Sequence, residues 1–280
     1  MRFQTVLADG VNVFYREAGA ADAPVILLMH GFPTSSHMFR NLMPLLADRY
    51  RVIAPDLPGF GFTEVPAARA YQYSFDNLAR TMEAFVQALD LRKFALYVFD
   101  YGAPVGLRLA AAHPERITAL ISQNGNAYIE GLSGGWDPMR RHWEDPNEEN
   151  TNVMRGYLTP EATHWQYTHG VADPARVAPE SYTLDAALMA RPGNIDIQLE
   201  LFYDYRHNLE MYPVFQQFFR EAQVPTLAIW GKNDPFFIPP GAEAYRRDNP
   251  NTVVQLLDTG HFALETHVGE ISAAIHALLD

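Results

Sequence analysis

The sequence predicts an α/β protein with a mostly parallel sheet that is flanked by helices. In the first part of the chain, short apolar runs alternate with segments of helical spacing, and this alternation returns near the end. Such alternation is typical of parallel sheets that carry helices on both faces. The intervening residues 126–221 show no clear buried strand and are rich in Trp, Tyr, His and Pro. We therefore expect a helical cap that is inserted into the α/β core.

The first part of the chain begins with a predicted hairpin. Apolar residues alternate on both sides of Asp9-Gly10, and an Asp-Gly pair favours a tight turn between two strands. A helix is predicted over 74–91, with Ser74 as its N-cap, and another helix is expected to end before Pro114. Short apolar runs predict buried strands at 24–30, 94–99 and 117–124. A further strand is predicted to begin at 51 and to run into a Pro/Gly loop that ends at 61.

The last part of the chain repeats the pattern of strand and helix. Strands are predicted at 224–231 and 252–258, and each is followed by a segment of helical spacing. The predicted organisation is a first core part at 1–125, a helical cap insertion at 126–221 and a second core part at 222–280. Because the two core parts flank the cap, we interpret it as an insertion and not as an independent domain.

The composition excludes several classes of function. The chain has 280 residues, of which 48% are hydrophobic, and this is sufficient for a sizeable core. Its net charge of -12 argues against binding to nucleic acid or to anionic membranes and favours a small neutral organic substrate. The absence of cysteine excludes disulfides, thiolate catalysis and thiolate metal sites.

The location of the protein is predicted from two further features. The first residues, MRFQTVLADG, lack the apolar core of a signal peptide, and no run approaches the roughly 18 apolar residues that a membrane helix needs. We therefore expect a cytoplasmic protein. The oligomeric state stays open between a monomer and a homodimer.

One carboxylate stands where a predicted buried strand meets a turn. The segment YVFDYGAPVG covers residues 97–106, and its apolar run ends on Asp100, with Gly102 shortly after it. Burying a lone carboxylate is costly unless partners stabilise it. A tight strand-to-helix turn would hold this side chain at the sheet edge, where the chemistry of open α/β sheets collects. An Asp that only caps the following helix is the alternative interpretation.

The frame V-F-D-Y-G at residues 98–102 resembles the nucleophile elbow of the α/β-hydrolase family, which is often G-x-S-x-G. It departs from the serine enzymes, because Asp100 stands at the nucleophile position and a Val at the first small position. In this respect it is similar to the branch of haloalkane dehalogenases and epoxide hydrolases, in which Asp is the nucleophile. The resemblance implies an α/β-hydrolase fold in which Asp100 attacks the substrate.

A second motif, H-G-F-P at residues 30–33, matches the oxyanion loop of that family. The resemblance implies that the backbone N–H groups of Phe32 and Tyr101 form the oxyanion hole, in which one donor is worth roughly 2.7–4 kcal/mol. His30 is expected to be structural. An ordinary Gly-Pro turn is the alternative, but it does not explain where this loop stands relative to the elbow.

Two further polar residues follow predicted strands in the second core part. Asp234 stands in WGKNDPFF and His261 in DTGHFALE. The order of nucleophile, acid and base is that of the α/β-hydrolase family, so the resemblance implies that Asp234 orients His261 and that His261 activates water. The implied mechanism forms an alkyl ester on Asp100, which water then hydrolyses, and it requires no cofactor and no metal.

The two activities of this branch differ in the leaving group of the substrate. A dehalogenase of the family solvates the departing halide with N–H donors. Here Phe32 and Tyr101 stand at two of the usual donor positions, and their side chains offer no N–H group. A dehalogenase activity would therefore depend on the cap residues Trp136, Trp143 or Trp165.

An epoxide hydrolase of the family instead protonates the ring oxygen with two cap tyrosines. Tyr205, in FYDYRHN, and Tyr167, in HWQYTHG, are the candidate ring-opening acids, with Tyr203 and Tyr128 in reserve. The sequence therefore favours an epoxide hydrolase that gives vicinal diols, with a haloalkane dehalogenase as the alternative. A non-catalytic binding protein is the second alternative, because a fold does not determine function.

Overall fold

An eight-stranded sheet forms the centre of the molecule. The computed structural model of the protein describes residues 1–280. The strands are β1 (Arg2–Ala8), β2 (Val11–Ala18), β3 (Val25–Met29), β4 (Arg51–Pro55), β5 (Phe94–Phe99), β6 (Ile117–Gln123), β7 (Thr226–Gly231) and β8 (Val253–Leu257). Their order across the sheet is β1-β2-β4-β3-β5-β6-β7-β8. Strand β2 is antiparallel to β1 and β4, and the remaining pairs are parallel, which confirms the predicted mostly parallel sheet.

Helices flank this sheet and fill the long connection between β6 and β7. They are α1 (Leu42–Leu46), α2 (Phe75–Ala88), α3 (Gly102–Ala112), α4 (Asp137–Glu144), α5 (Glu148–Gly156), α6 (Pro160–Thr168), α7 (Pro179–Met189), α8 (Asn194–Asp204), α9 (Arg206–Ala222), α10 (Pro240–Asp248) and α11 (Ala263–Leu279). Short 3-10 helices occupy several of the connecting loops.

The hairpin of β1 and β2 forms as the sequence predicts. The register runs from Arg2 opposite Glu17 to Ala8 opposite Val11. The two turn residues that follow Ala8 both have positive φ angles, 52° for the Asp and 73° for the Gly. A two-residue turn of this kind matches the twist of the strands that it joins.

Strand β5 shows why the central strands are continuous apolar runs. All of its residues, FALYVF, are buried. Successive side chains of a strand point to opposite faces, and Leu96 and Val98 belong to one hydrophobic cluster whereas Tyr97 and Phe99 belong to another. Because both faces of the sheet are covered, the side chains that point to either face of this strand are apolar or buried aromatic. The strand ends immediately before Asp100, so this carboxylate emerges at the edge of a sheet that is buried on both faces.

Helix α2 begins where its capping residue predicts. The hydroxyl oxygen of Ser74 accepts a hydrogen bond from the backbone N–H of Asn77 at 3.2 Å. This bond satisfies one of the N–H groups that have no partner within the first turn.

The residues between β6 and β7 are helical and contribute no strand to the sheet. Helix α7 in this segment is tied to the core because its Ser181 binds a partly buried ion pair. Arg40 donates to both carboxylate oxygens of Glu265, at 2.9 and 2.8 Å, and to the hydroxyl of Ser181 at 2.7 Å. The division into two core parts and an inserted cap stays a prediction of the sequence. No helix of the protein combines the length and the apolar character that a membrane crossing needs.

Helix α3 starts unusually close to a neighbouring strand, and a glycine makes this approach possible. A Cβ atom added to Gly102 would lie 2.3 Å from the carbonyl oxygen of Met29 and 2.8 Å from that of His30. Both contacts are with backbone, so neither can be relieved by a change of rotamer. Gly102 therefore sets how near the elbow lies to the loop after β3.

Replacing Gly102 by Ala should destabilise the fold. We expect Gly102→Ala to lower the free energy of unfolding by about 1–3 kcal/mol, because the helix must move away from β3 to accommodate the methyl group. Gly269→Ala in α11 is the matched control, because nothing lies within 4 Å of the added Cβ and Ala is favoured over Gly in a helix by about 0.8–1 kcal/mol. Urea unfolding of both variants measures the difference. Equal changes in the two variants would show that the close approach is unimportant.

Candidate active site

The elbow between β5 and α3 holds Asp100 in a backbone conformation that few residues adopt. Its φ angle is 47°, in the left-handed region, which costs a non-glycine residue on the order of 1–3 kcal/mol and is frequent at functional sites. Gly31 makes room for the side chain, because a Cβ atom there would lie 2.4 Å from Asp100 Oδ1. The loop after β3 and the elbow after β5 therefore meet directly.

Two backbone N–H groups converge on one oxygen of this carboxylate. Asp100 Oδ1 accepts hydrogen bonds from the N–H groups of Phe32 and Tyr101, each at 2.6 Å. These are the two donors that the sequence predicts for an oxyanion hole. Short bonds to an ionised acceptor are strong, so Oδ1 is held in place while Oδ2 is free of both donors.

Burial dominates the electrostatics of Asp100. It raises the pKa of the carboxyl group to about 6, although the neighbouring His261 and the two backbone hydrogen bonds lower it. The carboxylate is therefore less stabilised than an exposed one, which makes it a better nucleophile and proton acceptor than an ordinary aspartate.

His261 lies between the two carboxylates that the sequence predicts as its partners. Its Nδ1 is 2.6 Å from Asp234 Oδ2, and its Nε2 is 3.7 Å from Asp100 Oδ2. The short contact assigns the Nδ1 proton to the bond with Asp234, so that Nε2 is available to accept a proton. The structure thus brings Asp100, Asp234 and His261 together in the arrangement of a nucleophile, an acid and a base.

The pKa of His261 is set by opposing effects. Burial lowers it, but the negative charge and hydrogen bond of Asp234 and the charge of Asp100 raise it by more, so the pKa lies above its usual 6.5. The imidazolium form is therefore stabilised within the site, which favours proton uptake by Nε2.

Asp234 is held by more donors than the sequence predicts. Its Oδ1 accepts from the N–H groups of Phe236 and Phe237, at 2.8 and 3.1 Å. Its Oδ2 accepts from Asn124 Nδ2 at 2.7 Å in addition to His261. These bonds leave the carboxylate little freedom to turn away from the imidazole.

Asn124 is a positioning residue that the sequence analysis did not identify. It follows β6 with a φ angle of 46°, and its Oδ1 accepts from the backbone N–H of Gly231 at 2.9 Å. Its side chain therefore joins the end of β6 to the end of β7, beside Asp234. The signal in the sequence is the Asn-Gly pair directly after a buried strand, at the same sheet edge as Asp100.

The side chain of His30 holds the oxyanion loop in place through two contacts with backbone groups. The backbone N–H of Leu57 donates to His30 Nε2 at 2.9 Å, and His30 Nδ1 contacts the carbonyl of Gly31 at 3.0 Å. Burial lowers the pKa of His30, which keeps its ring neutral and able to accept a bond. His30 does not line the cavity beside Asp100.

A largely apolar cavity lies over Asp100 and His261. The empty space at this site is about 520 Å³, counting the part that is open to solvent. The apolar wall consists mainly of Phe32, Trp136, Met139, Phe202, Phe236 and Phe237. The other polar side chains that line it are Tyr101, Tyr157 and Gln166.

The two tyrosines predicted as ring-opening acids do not line this cavity. The hydroxyl of Tyr167 donates to Asp185 at 2.5 Å, and its ring stacks on Phe262 with the centroids 3.7 Å apart. The ring of Tyr205 packs behind the cavity wall, 4.7 Å from the ring of Trp136 and 5.7 Å from that of Tyr101 between centroids. Burial raises the pKa of both hydroxyls well above the usual value.

The reserve tyrosines are also engaged elsewhere. The hydroxyl of Tyr128 donates to Asp248 at 2.9 Å, and the ring of Tyr203 lies 3.7 Å from the guanidinium carbon of Arg206. The tyrosines that do line the cavity are Tyr101 and Tyr157, and neither hydroxyl has a hydrogen-bond partner in the protein. Tyr101 follows Asp100 in the elbow, whereas the position of Tyr157 depends on how the helices between β6 and β7 pack, which periodicity does not reveal.

The cap tryptophans have their indole N–H groups directed away from the substrate space. Trp136 Nε1 donates to the carbonyl of Phe236 at 3.2 Å, and Trp143 Nε1 donates to that of Phe202 at 2.8 Å. Trp165 is 42% exposed and does not line the cavity. The three residues on which a halide site was expected to depend therefore offer no free N–H group to the cavity in this arrangement.

The order of the strands and the elbow after β5 are those of an α/β hydrolase. The sequence profile of the alpha/beta hydrolase fold family matches residues 24–268, and the chain belongs to this family. The fold that the elbow, the oxyanion loop and the strand pattern predict is thereby confirmed.

The relatives of this chain include an uncharacterized hydrolase and several haloalkane dehalogenases. Over 279 residues, 98% of this chain and 96% of the relative, the sequence is 52% identical to an uncharacterized hydrolase of Saccharomyces cerevisiae. A haloalkane dehalogenase of Psychrobacter cryohalolentis is 38% identical over 115 residues, which are 41% of this chain and 38% of that protein. The crystal structure of an epoxide hydrolase from Vigna radiata shares the fold, with a TM-score of 0.78 at 23% identity over 99% of this chain and 97% of that chain.

The titration of His261 should depend on Asp234. We expect NMR titration of the imidazole C–H signals to give a pKa above 6.5 in the wild type, so that the neutral base is lost as the pH falls through that value. In Asp234→Asn the pKa should be lower, because the charge that raises it is removed while burial still lowers it. Asp258→Asn, in the exposed part of the same loop region, is the control and should leave the titration unchanged. A His261 pKa that is the same with and without the Asp234 charge would contradict this coupling.

Proposed function

We propose that the protein is a hydrolase that uses Asp100 as a nucleophile and passes through an alkyl ester on this residue. The observation that carries the proposal is the environment of the carboxylate. Both oxyanion-hole donors bind Oδ1, whereas Oδ2 faces His261 at the floor of an apolar cavity. An aspartate that only capped helix α3 would require neither the second donor, from Phe32, nor the imidazole.

The first step is attack by Asp100 Oδ2 on a saturated carbon of an epoxide. The new bond joins Oδ2 to that carbon, the bond from the carbon to the ring oxygen breaks, and its electron pair goes to the ring oxygen. A phenol that donates a proton to this oxygen avoids a free alkoxide, and such acid catalysis is typically worth about 10²–10⁴-fold. The product of the step is an ester that carries a hydroxyl on the neighbouring carbon.

The second step hydrolyses this ester. His261 Nε2 removes a proton from water, and the hydroxide attacks the carboxyl carbon of Asp100. The negative charge develops on Oδ1, where the N–H groups of Phe32 and Tyr101 already point. Collapse of the intermediate breaks the bond from the carboxyl carbon to Oδ2, the His261 cation returns its proton to Oδ2, and Oδ2 leaves with the vicinal diol while the water oxygen replaces it. The proton that remains on the new carboxyl group passes to the phenolate left by the first step, so that the nucleophile and the acid are both regenerated. Asp234 stabilises the His261 cation during this step.

The proton donor of the first step is best sought among the phenols that face the cavity. The sequence favours Tyr205 and Tyr167, but the proton of Tyr167 is directed at Asp185. Tyr157 lines the cavity without a protein partner, and burial raises its pKa, so its hydroxyl keeps its proton at neutral pH. The hydroxyl of Tyr101 is closed off from accessible space, so it does not reach the substrate in this arrangement. We therefore include Tyr157 as the donor in the proposed mechanism and retain Tyr205 as a residue that packs against the ring of Tyr101.

A haloalkane dehalogenase is the second candidate, and the named relatives of 38–41% identity over part of the chain favour it. The same nucleophile, acid and base would serve both reactions. The directions of the cap indole N–H groups argue against a halide site formed by Trp136 or Trp143. The proposed partner in either case is a small neutral organic molecule, because the cavity is mainly apolar and the protein is acidic. A purely binding role would leave the Asp234–His261 pair without a purpose.

Heavy oxygen should enter Asp100 before it enters the product. In a single turnover of an epoxide in water labelled with heavy oxygen, we expect unlabelled diol and a labelled peptide that carries Asp100, because Oδ2 is the oxygen that leaves. Mass spectrometry of the diol and of the peptide measures both. His261→Gln is the control that should stop at the ester and show the mass of the adduct. Label that enters the diol in the first turnover, with Asp100 unlabelled, would mean that water attacks the substrate directly.

Removal of a cavity phenol should slow ring opening selectively. We expect Tyr157→Phe to lower the rate of ester formation from epoxides by about 10²-fold or more, with a smaller loss for Tyr205→Phe, whose hydroxyl lies outside the cavity. A panel of epoxides and haloalkanes, with halide release and diol formation monitored, gives the rates. Efficient halide release that is insensitive to Tyr157→Phe and lost on replacing Trp136 would instead support the dehalogenase. If the protein turned over neither epoxides nor haloalkanes, the result would favour a non-catalytic binding protein.

A further inference from the structure

One polar side chain in the cavity has no role in the mechanism proposed above. Gln166 lies in helix α6 and is only 4% exposed. It lines the cavity over Asp100, and its side-chain amide makes no hydrogen bond to the protein. The amide is also not among the polar atoms that are sealed from all accessible space, so the space that it reaches is that of the cavity.

The remaining polar groups of the cavity are accounted for. Asp100 and His261 belong to the nucleophile and base, and the Trp136 N–H already donates to a backbone carbonyl. Tyr157 is a phenol that can donate a proton, and the hydroxyl of Tyr101 is closed off from accessible space. Gln166 cannot give up a proton, because a carboxamide does not ionise in the range where proteins function. It is therefore a hydrogen-bonding group and not an acid or a base.

The helix that carries Gln166 is held firmly on the side of the catalytic base. Tyr167, the next residue, stacks on Phe262 at an interplanar angle of 8° and donates to Asp185 of α7. Phe262 directly follows His261. At its start, α6 is capped by the Thr159 hydroxyl, which accepts from the N–H of Ala162 at 3.1 Å. The amide of Gln166 is consequently presented to the cavity from a fixed element, as a recognition group requires.

A substrate that enters this cavity displaces the water that would otherwise bind the amide. A purely hydrocarbon substrate would leave both the donor and the acceptor of Gln166 without partners, and an unpaired buried polar group is costly. A hydroxyl group satisfies both, because it donates to Oε1 and accepts from Nε2 of the same amide. The carboxamide is therefore matched to a substrate that has a hydroxyl group in addition to its reactive carbon.

We propose that Gln166 binds a hydroxyl group of the substrate and selects hydroxylated epoxides over their hydrocarbon analogues. This proposal rests on the proposed function, because it places the recognition group in the same cavity as Asp100. It assigns to Gln166 the role of a specificity-determining residue, and it explains the rigid mounting of α6 by Tyr167 and Asp185.

The test compares two epoxides that differ in a single group. They are hexene oxide and its analogue that carries a hydroxyl on the chain carbon farthest from the epoxide ring. We expect the wild type to prefer the hydroxylated compound by roughly 10–100-fold in kcat/KM, mainly through KM, and Gln166→Leu to lose most of this preference by gaining on hexene oxide. Gln217→Leu, an exposed glutamine of α9 that lies outside the cavity, is the matched control and should keep the wild-type preference.

Stability separates recognition from a structural role. Because Gln166 has no partner in the protein, Gln166→Leu should leave the Tm unchanged or raise it. A lowered Tm together with an unchanged preference would show that the amide supports the fold and would overturn the proposal. A preference for hexene oxide in the wild type would overturn it as well.

A binding measurement distinguishes failure of this inference from failure of the proposed function. The side-chain NH₂ signal of Gln166, assigned by its loss in Gln166→Leu, should shift in NMR spectra when hexanol is added and stay in place with hexane. A shift in a protein that turns over no epoxide would retain the recognition site and reject the epoxide hydrolase. Turnover of both epoxides at equal efficiency, with no shift on adding hexanol, would retain the enzyme and reject the role of Gln166.

Discussion

The hydrogen bonds from two backbone N–H groups to Asp100 Oδ1 are the interaction on which the rest of the site depends. They require the loop after β3 and the elbow after β5 to meet, which the parallel pairing of these strands provides. They also require small residues at the meeting point, because a side chain at Gly31 or Gly102 would overlap the carboxylate or the backbone of the neighbouring loop. The carboxylate is buried and its pKa is raised to about 6. The two donors and His261 oppose this shift, so the charged form persists where the cavity can use it.

The acid and the base extend this arrangement across the sheet edge. Asp234 receives two backbone N–H groups on one oxygen and Asn124 and His261 on the other. Each donor removes a direction in which the carboxylate could turn, so that the imidazole keeps one tautomer and one orientation. The ends of β5, β6 and β7 each contribute one polar residue, and the loop after β8 contributes the histidine. The chemistry is thereby concentrated where parallel strands end, as in other open α/β sheets.

The helices between β6 and β7 supply the opposite wall of the cavity, and there the direction of each polar group decides its use. Tyr167 and Trp143 have side chains of the expected chemistry, but their protons are committed to Asp185 and to a backbone carbonyl. Tyr157 and Gln166 lack such partners and line the cavity. A buried donor that is already paired stabilises the fold, whereas an unpaired one next to a cavity is available to a ligand. This distinction underlies both the proposed acid and the proposed recognition of a hydroxyl group.

Local patterns in the sequence were sufficient to predict the hairpin at Asp9-Gly10, the buried strands, the capping of α2 by Ser74 and the family of the fold. They also placed Asp100, Asp234 and His261 after strands of one parallel sheet, and the structure brings these three together. Such features are readable because strand periodicity, turn residues and motif spacing act over a few neighbouring residues. Asn124, Tyr157 and Gln166 were not identified, and Tyr167 and Tyr205 were expected in a cavity that they do not line. Which face of a helix meets the cavity depends on contacts between residues far apart in the chain, such as the stacking of Tyr167 on Phe262, and only the packed tertiary structure determines it.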